Sequence, residues 1–225
     1  MQTVVISLGG SLIVPDNVDH EYLRKFKQVI ERFIGKGFRF VIICGGGKTA
    51  RKYMDAAREI TTLSKDDIDW IGIHATRINA HLLKTLFRDD AHPRIVKDPT
   101  HPIDFKESIL VAAGWKPGFS SDYDAVMLAR NLGVEKIINL TNIDYVYDKD
   151  PKHFPEAKKI HEISWKSFRK LVGDEWDPGL NKPFDPVASK EAEKNGITVV
   201  IANGKDLNNF QRILEDKFFQ GTIIS

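Results

Sequence analysis

Two short apolar runs, residues 4–8 (VVISL) and 38–44 (FRFVIIC), each end in a cluster of glycines, and each cluster leads into helix-like sequence. No other feature limits the fold as strongly. Such runs are too short for helices, and β-branched runs bounded by glycine suit buried strands of a parallel sheet whose crossovers are helical. Glycine also lets backbone approach a ligand closely, and the N-terminus of a following helix presents unpaired N–H groups to an anion.

The same rhythm continues along the chain. Leu23, Phe26, Val29, Ile30, Phe33 and Ile34 recur at helical spacing, closed by Gly35 and Gly37. A helix resumes from Thr49, and a longer one is predicted over 67–88, with Asp66 and Asp67 near its start, where acids suit the helix dipole. Strands are expected at 109–113, 136–140, 198–202 and 222–224, with a helix at 122–132. The alternation predicts an α/β fold, a three-layer αβα sandwich with a mostly parallel central sheet. One domain of residues 1–225 is expected, with an N-terminal lobe over roughly 1–108 and a C-terminal lobe over roughly 109–225. Residues 148–186, rich in Pro and Gly and including "WDPGLNKPFDP", read as an irregular excursion.

Charge and cysteine content narrow the functional classes. With 33 basic and 31 acidic residues interspersed, the net charge of +2 gives no reason to expect nucleic acid or an anionic membrane as partner. Cys44 is the sole cysteine, which excludes an intrachain disulfide and suits a reducing compartment; its simplest role is a small apolar residue buried at a strand end. No apolar run approaches the ~20 residues of a membrane span, and the N-terminus shows no basic region of a signal peptide. A soluble, cytoplasmic protein is the expectation.

The "GGGKT" at residues 45–49 invites a P-loop reading, which counting removes. A P-loop needs a glycine five positions before the Gly-Lys pair, and that position is Ile42, inside the apolar run. What remains is a set of four loops expected at one sheet edge, where ligands of parallel sheets bind. The first two are the glycine loops, each with a polar residue, Ser11 or Lys48; tight strand-to-helix turns also use glycine. The third, "GWKPGFSSD", ends in Ser120, Ser121 and Asp122 at a helix start, where both a cap and an oxyanion site can form. The fourth, "NLTNIDYVYDKDP", carries Thr141, Asn142, Asp144, Asp148 and Asp150; such clusters also make plain turns. Together the four describe a site for two phosphorylated ligands, because phosphoryl transfer asks chiefly for positioning and charge neutralisation.

With "GGGKTARKY", "DWIGIHATRINAHLL", "PGFSSDYDAVMLA", "TNIDYVYDKDP" and "FDPVASK" in this order and spacing, the chain resembles the amino-acid kinase family, and within it the archaeal type of UMP kinases, over nearly its whole length. The resemblance implies ATP and Mg²⁺ as cofactors, with no protein residue assigned to the metal. It implies that Gly9, Gly10 and Ser11 underlie the ATP phosphates, and that Thr141, Asn142, Tyr147 and Asp150 surround the ATP. It implies that Gly45, Gly46 and Gly47 line the acceptor nucleotide, with Arg51, on the first helical turn, gripping its phosphate and Asp69 its ribose. Trp115, Ser120 and Ser121 fall near the acceptor. Lys48, Arg51 and Asp122 take the catalytic places, Asp122 holding cationic groups such as Lys48 in position.

The chain departs from the family at four places. Ser7 stands where many members have Lys, Trp115 where archaeal enzymes have Thr, Tyr145 where Gly is usual, and "GLNKPF" where a Gly/Ser-rich stretch precedes "DP". The expected activity is ATP-dependent phosphorylation of a nucleoside monophosphate, UMP first, in pyrimidine nucleotide biosynthesis. The rivals are a same-fold kinase for another phosphorylated small molecule and a non-catalytic oligomer that binds nucleotides or oxoanions. A homo-oligomer, a hexamer by the resemblance, is expected, with the 67–88 helix near an interface and Arg77 and Asn79 read as contacts between subunits. His74 and His81, seven apart, would share a helix face in packing or an interface rather than bind a metal.

Overall fold

The computed structural model describes residues 1–151, 153–173 and 182–225. Its centre is strand β1, Gln2–Leu8, flanked on one side by β2, Phe38–Cys44, and β3, Ile109–Ala112. On the other side lie β4, Lys136–Thr141, then β8, Thr198–Asn203, β9, Thr222–Ile224, and β7, Glu162–Ile163. β1, β2, β3, β4 and β8 are all parallel; the β8–β9 pairing is antiparallel. A separate two-stranded ribbon joins β5, Val146–Tyr147, to β6, Lys159–Ile160. The sheet takes strands from both sides of residue 108.

Alternation along the strands divides the core. Val4, Ile6 and Leu8 of β1 and Phe40, Ile42 and Cys44 of β2 face one layer, where α2 (His20–Ile34) and α8 (Leu207–Leu214) supply Phe26, Phe33 and Phe210. Val5, Val41 and Ile43 face the other layer, which holds α5 (Ser121–Asn131), α6 (Trp165–Val172) and α7 (Pro186–Lys194). Each fully buried Phe or Leu contributes about 1.5–3 kcal/mol, so the two layers account for the tight registration of the sheet. Ser7 and Asn139 continue the second face at the C-terminal ends of β1 and β4, so polar groups end up beneath the start of α5. Cys44 is fully buried, which pushes its thiol up to about 12.

Three local features differ from the sequence reading. The helix after the first glycine loop, α1, is a single turn, Gly10–Ile13, because Val14 is extended and Pro15 follows it. The helix after the second, α3 (Gly47–Arg58), begins two residues before Thr49, and its first residue, Gly47, has a φ of +65° that glycine tolerates. Arg51 therefore sits on the second turn of α3. The 148–186 stretch is also less irregular than expected: β6, β7 and α6 lie within it, short elements whose polar exposed faces hide the apolar pattern. Trp176 to Asn181 of "WDPGLNKPFDP", and so the first half of "GLNKPF", lie outside the described residues. The longest helix, α4 (Lys65–Leu86), carries Asp66 and Asp67 in its first turn as expected and opens with a capping box between Ser64 and Asp67 that the sequence reading did not include.

Candidate active site

Because β1 to β4 are parallel, the four loops that follow them leave the sheet at one edge. Connections run from β1 to β2 on one side, while β4 lies on the other, so the crevice beyond β1 and β4 is the switch point where open α/β sheets take ligands.

The two glycine loops are in direct backbone contact there. A Cβ on Gly10 would lie 2.1 Å from the Gly47 nitrogen and 2.5 Å from the Gly45 oxygen; one on Gly47 would lie 2.2 Å from the Gly10 oxygen. Gly9 N–H donates to Leu140 O (2.8 Å) and Gly45 N–H to Leu8 O (2.9 Å), tying both loops to the strand ends. Lys48 N–H donates to Val14 O at 3.0 Å, and the Lys48 charge, after that of Lys52, helps to lower the Asp16 carboxyl. Arg51 is exposed on the same helix. Ser11 follows Gly10 on the single turn of α1.

Across the edge stands an acidic group. Asp122, in the first turn of α5, accepts from Ser7 Oγ at 2.9 Å and from the Asp185 N–H at 3.2 Å. Its partners are thus a hydroxyl and a peptide, not the Lys48 ammonium that the sequence suggested. Burial, then the neighbouring Asp185, pushes the Asp122 carboxyl up to about 7. Asp185 caps α7 through the Ala188 N–H; burial raises its carboxyl as well, and its Oδ2 is buried without a hydrogen-bond partner. Asp124 is 1% exposed, and burial lifts it well above the carboxylate range although the Trp115 N–H (3.2 Å) opposes this.

The remaining residues expected near the acceptor gather on the 113–121 loop and α4. Asp69 Oδ2 accepts the Gly118 N–H at 2.7 Å, so it already bridges α4 to this loop. Ser120 caps α5 by accepting from Tyr123 N–H, and Ser121 is the first residue of that helix. The Trp115 ring packs at 5.0 Å from Phe119 with Lys116 Nζ 3.9 Å over its face, so a stacking base would compete with these groups. Beyond β4, Thr141, Asn142, Tyr147 and Asp150 share the walls of one cavity of about 500 Å³, together with Tyr145 and Lys182. A larger cavity of about 670 Å³ lies between α3 and α4, lined by Tyr53, Trp70 and Ile78, and includes none of the expected site residues. His74 stacks on Trp70 there, and His81 is exposed.

Two residues were read differently from the sequence. Asn79 donates to Gly45 O (2.8 Å) and Gly46 O (3.2 Å), and Arg77 donates to Gly114 O (3.3 Å) and Trp115 O (3.0 Å). Both tie loops of their own chain to α4. Asp185, reached through "FDP", and Ser7 also belong to the site; a polar residue interrupting an apolar strand was the signal available for Ser7.

Known proteins resemble this chain over nearly its whole length. The chain is 34% identical over 228 residues to the uridylate kinase of Methanospirillum hungatei, covering all of this chain and 95% of that one. It is 33% identical over 213 residues to the uridylate kinase of Hyperthermus butylicus, covering 94% and 93% of the two. Among solved structures, uridylate kinase from Archaeoglobus fulgidus superposes with a TM-score of 0.81 at 30% identity, each chain fully covered. Residues 2–203, which carry every loop described above, match the model of the Amino acid kinase family. The chain belongs to that family.

Proposed function

We propose that this chain is an ATP-dependent kinase that transfers a γ-phosphoryl group to UMP, giving UDP. The observation that carries the reading is the backbone contact between the two glycine loops at Gly10 and Gly47. Phosphates bound at these loops would lie side by side, and transfer between them relies on positioning and charge stabilisation more than on covalent chemistry by the protein. The names of the archaeal relatives, matched along almost their whole length, support the same choice.

In this reading Gly9, Gly10 and Ser11 underlie the ATP phosphates, and Thr141, Asn142, Tyr147 and Asp150 hold its nucleoside in their shared cavity. Gly45, Gly46, Gly47 and Arg51 hold the UMP phosphate. Asp69 exchanges its bond from Gly118 for one from the ribose, and Trp115, Ser120 and Ser121 border the acceptor. Lys48 and Arg51 bring positive charge to the transferring group, while Asp122 organises the centre. No side chain need remove a proton, because a phosphomonoester with a second pKa of about 6 is already anionic near neutrality. Mg²⁺ would be held chiefly by the ATP phosphates, since it keeps several waters and needs no dedicated protein cage.

The proposal extends to a cytoplasmic role in pyrimidine nucleotide synthesis and to a homo-oligomer, a hexamer by resemblance. The exposed Tyr53, Trp70 and Ile78 along the cavity between α3 and α4 support such an interface. The deciding experiment couples ADP release to a panel of UMP, CMP, AMP and GMP. UMP should be the best acceptor, and ADP release with none of them refutes the kinase reading.

A further inference from the structure

One stretch of α4 holds both sides of the acceptor site. On the first side, Asn79, 3% exposed, donates from Nδ2 to Gly45 O and Gly46 O. With their carbonyls drawn toward α4, the peptides of this loop are fixed before any anion arrives. The helix packs closely here: a Cβ on Gly46 would come within 3.3 Å of Gly72 O. On the second side, Thr76 Oγ1 accepts the Gly114 N–H at 2.8 Å while donating to Ile73 O. Arg77 Nη2 donates to the Gly114 and Trp115 carbonyls, and the Trp115 N–H goes to Asp124 of α5. All four polar backbone groups of the Gly114–Trp115 turn are thereby bonded to side chains.

These ties serve more than stability. Asp124 Oδ1 and Arg77 Nε are both buried without a hydrogen-bond partner, a cost that simple packing would not incur. Thr76, Arg77 and Asn79 lie within four consecutive residues of one rigid helix, so the spacing between the glycine loop and the Trp115 turn is set by covalent geometry. Preorganisation of this kind lowers the cost of binding, because the loops have no freedom left to lose.

We infer that Arg77 and Asn79 of α4, with Thr76 and Asp124, are positioning residues that fix the width of the acceptor site between the Gly45–Gly47 loop and the Gly114–Trp115 turn. The inference rests on the acceptor reading above and deepens it. None of the four residues needs to touch the nucleotide; each acts through backbone that does.

The test compares Arg77→Lys, Asn79→Ala, Asp124→Ala and Asp124→Asn with the wild-type chain, by steady-state kinetics and by hydrogen exchange followed in peptides. Arg77→Lys keeps the charge but replaces the planar Nη2 group that donates to both carbonyls with an ammonium on a shorter, more flexible stem. Asn79→Ala removes the donor to the glycine loop. Each should raise the KM for UMP about tenfold, the loss expected for one buried hydrogen-bonded tie, with the KM for ATP unchanged. Exchange should quicken in peptides covering 113–121 for Arg77→Lys and 44–50 for Asn79→Ala, while the core strands keep their protection. Asp124→Asn, whose amide oxygen still accepts from Trp115 N–H, should restore what Asp124→Ala loses. If Asn79→Ala does not fold, Asn79→Ser carries the same comparison.

Equal changes in both KM values, or lowered thermal stability with both KM values and loop exchange unchanged, overturns the inference. A wild-type chain that shows no turnover of UMP refutes the acceptor reading instead; loop exchange then still decides whether the ties exist.

Discussion

Replacing Gly10 by alanine tests the meeting of the two glycine loops directly. The added methyl would lie 2.1 Å from the Gly47 nitrogen and 2.5 Å from the Gly45 carbon and oxygen, where ordinary contact begins near 3.4 Å. Every one of these atoms is backbone, so no side chain can swing aside; the loops must part by more than about 1 Å. Gly10 has no positive φ, so the effect is steric and not conformational. Overpacking of this kind costs about 1–3 kcal/mol, and the upper end applies because strand-anchored backbone has to move. In a chain of this size that is a fall in Tm of about 5–10 °C. The catalytic loss should be larger than the structural one, since a misplacement of about 1 Å between reacting groups can cost about a hundredfold in rate. Coupled ADP release with UMP, alongside thermal melts, measures both. Gly133→Ala is the control: its φ is +64° with nothing within 4 Å, so it carries backbone strain of about 1–2 kcal/mol far from the loops. Turnover by Gly10→Ala within about threefold of the parent, or no lower than that of Gly133→Ala, would refute the proposed side-by-side phosphates.

Three further outcomes are expected. Arg51→Ala should lower kcat/KM for UMP by about 2–4 kcal/mol of transition-state binding while leaving the melt unchanged, since the side chain is exposed; near-normal turnover removes Arg51 from the site. Asp122 has a folded pKa of about 7 against 3.8 for the free carboxyl, so between these values the native state holds a proton that the unfolded chain has lost. Stability therefore falls as pH rises through this window, by at most about 1.4 kcal/mol per unit for this group, and Asp122→Asn should flatten the slope and lower kcat; denaturant melts showing an unchanged slope would contradict the assignment. Trp115→Thr removes the ring beneath Lys116 and beside Phe119, and with it any stacking contribution, about 1–3 kcal/mol for any base; the order of preference among UMP, CMP, AMP and GMP should survive the change, and a reordered series would make Trp115 the base-reading group.

Most of the fold was legible because it is written in local periodicity. The α2 positions at helical spacing include the buried Leu23, Phe26, Val29, Ile30 and Phe33, and β2 spans the residues its apolar run indicated. Parallel strands buried on both faces need no alternation, which is why runs such as "FVIIC" could be taken at face value. Legibility failed where elements are short and half exposed. β6 and β7 contribute two residues each, and α6 eight, so a Pro- and Gly-rich neighbourhood outweighed their weak apolar signal.

The candidate site was legible as a set of loops but not as a set of contacts. Glycines mark backbone that must come close to something; in this chain the something is partly another glycine loop, Gly10 against Gly47, and no local pattern announces which. The acidic centre shows the same limit. Ser7 reaches Asp122 across 115 residues, and Asp122 reaches the Asp185 peptide across 63, so the partner of each group is set by sheet order rather than by spacing. The expectation that Asp122 would hold Lys48 came with the family resemblance; the alternation of β1 instead turns Ser7 toward α5, while the glycine loop carries Lys48 toward Val14 and Asp16. Burial then decides the chemistry of the carboxyl. Away from a fixed cation and next to Asp185, Asp122 becomes a weak acid whose protonation responds near neutral pH, a property that its place in the motif does not disclose.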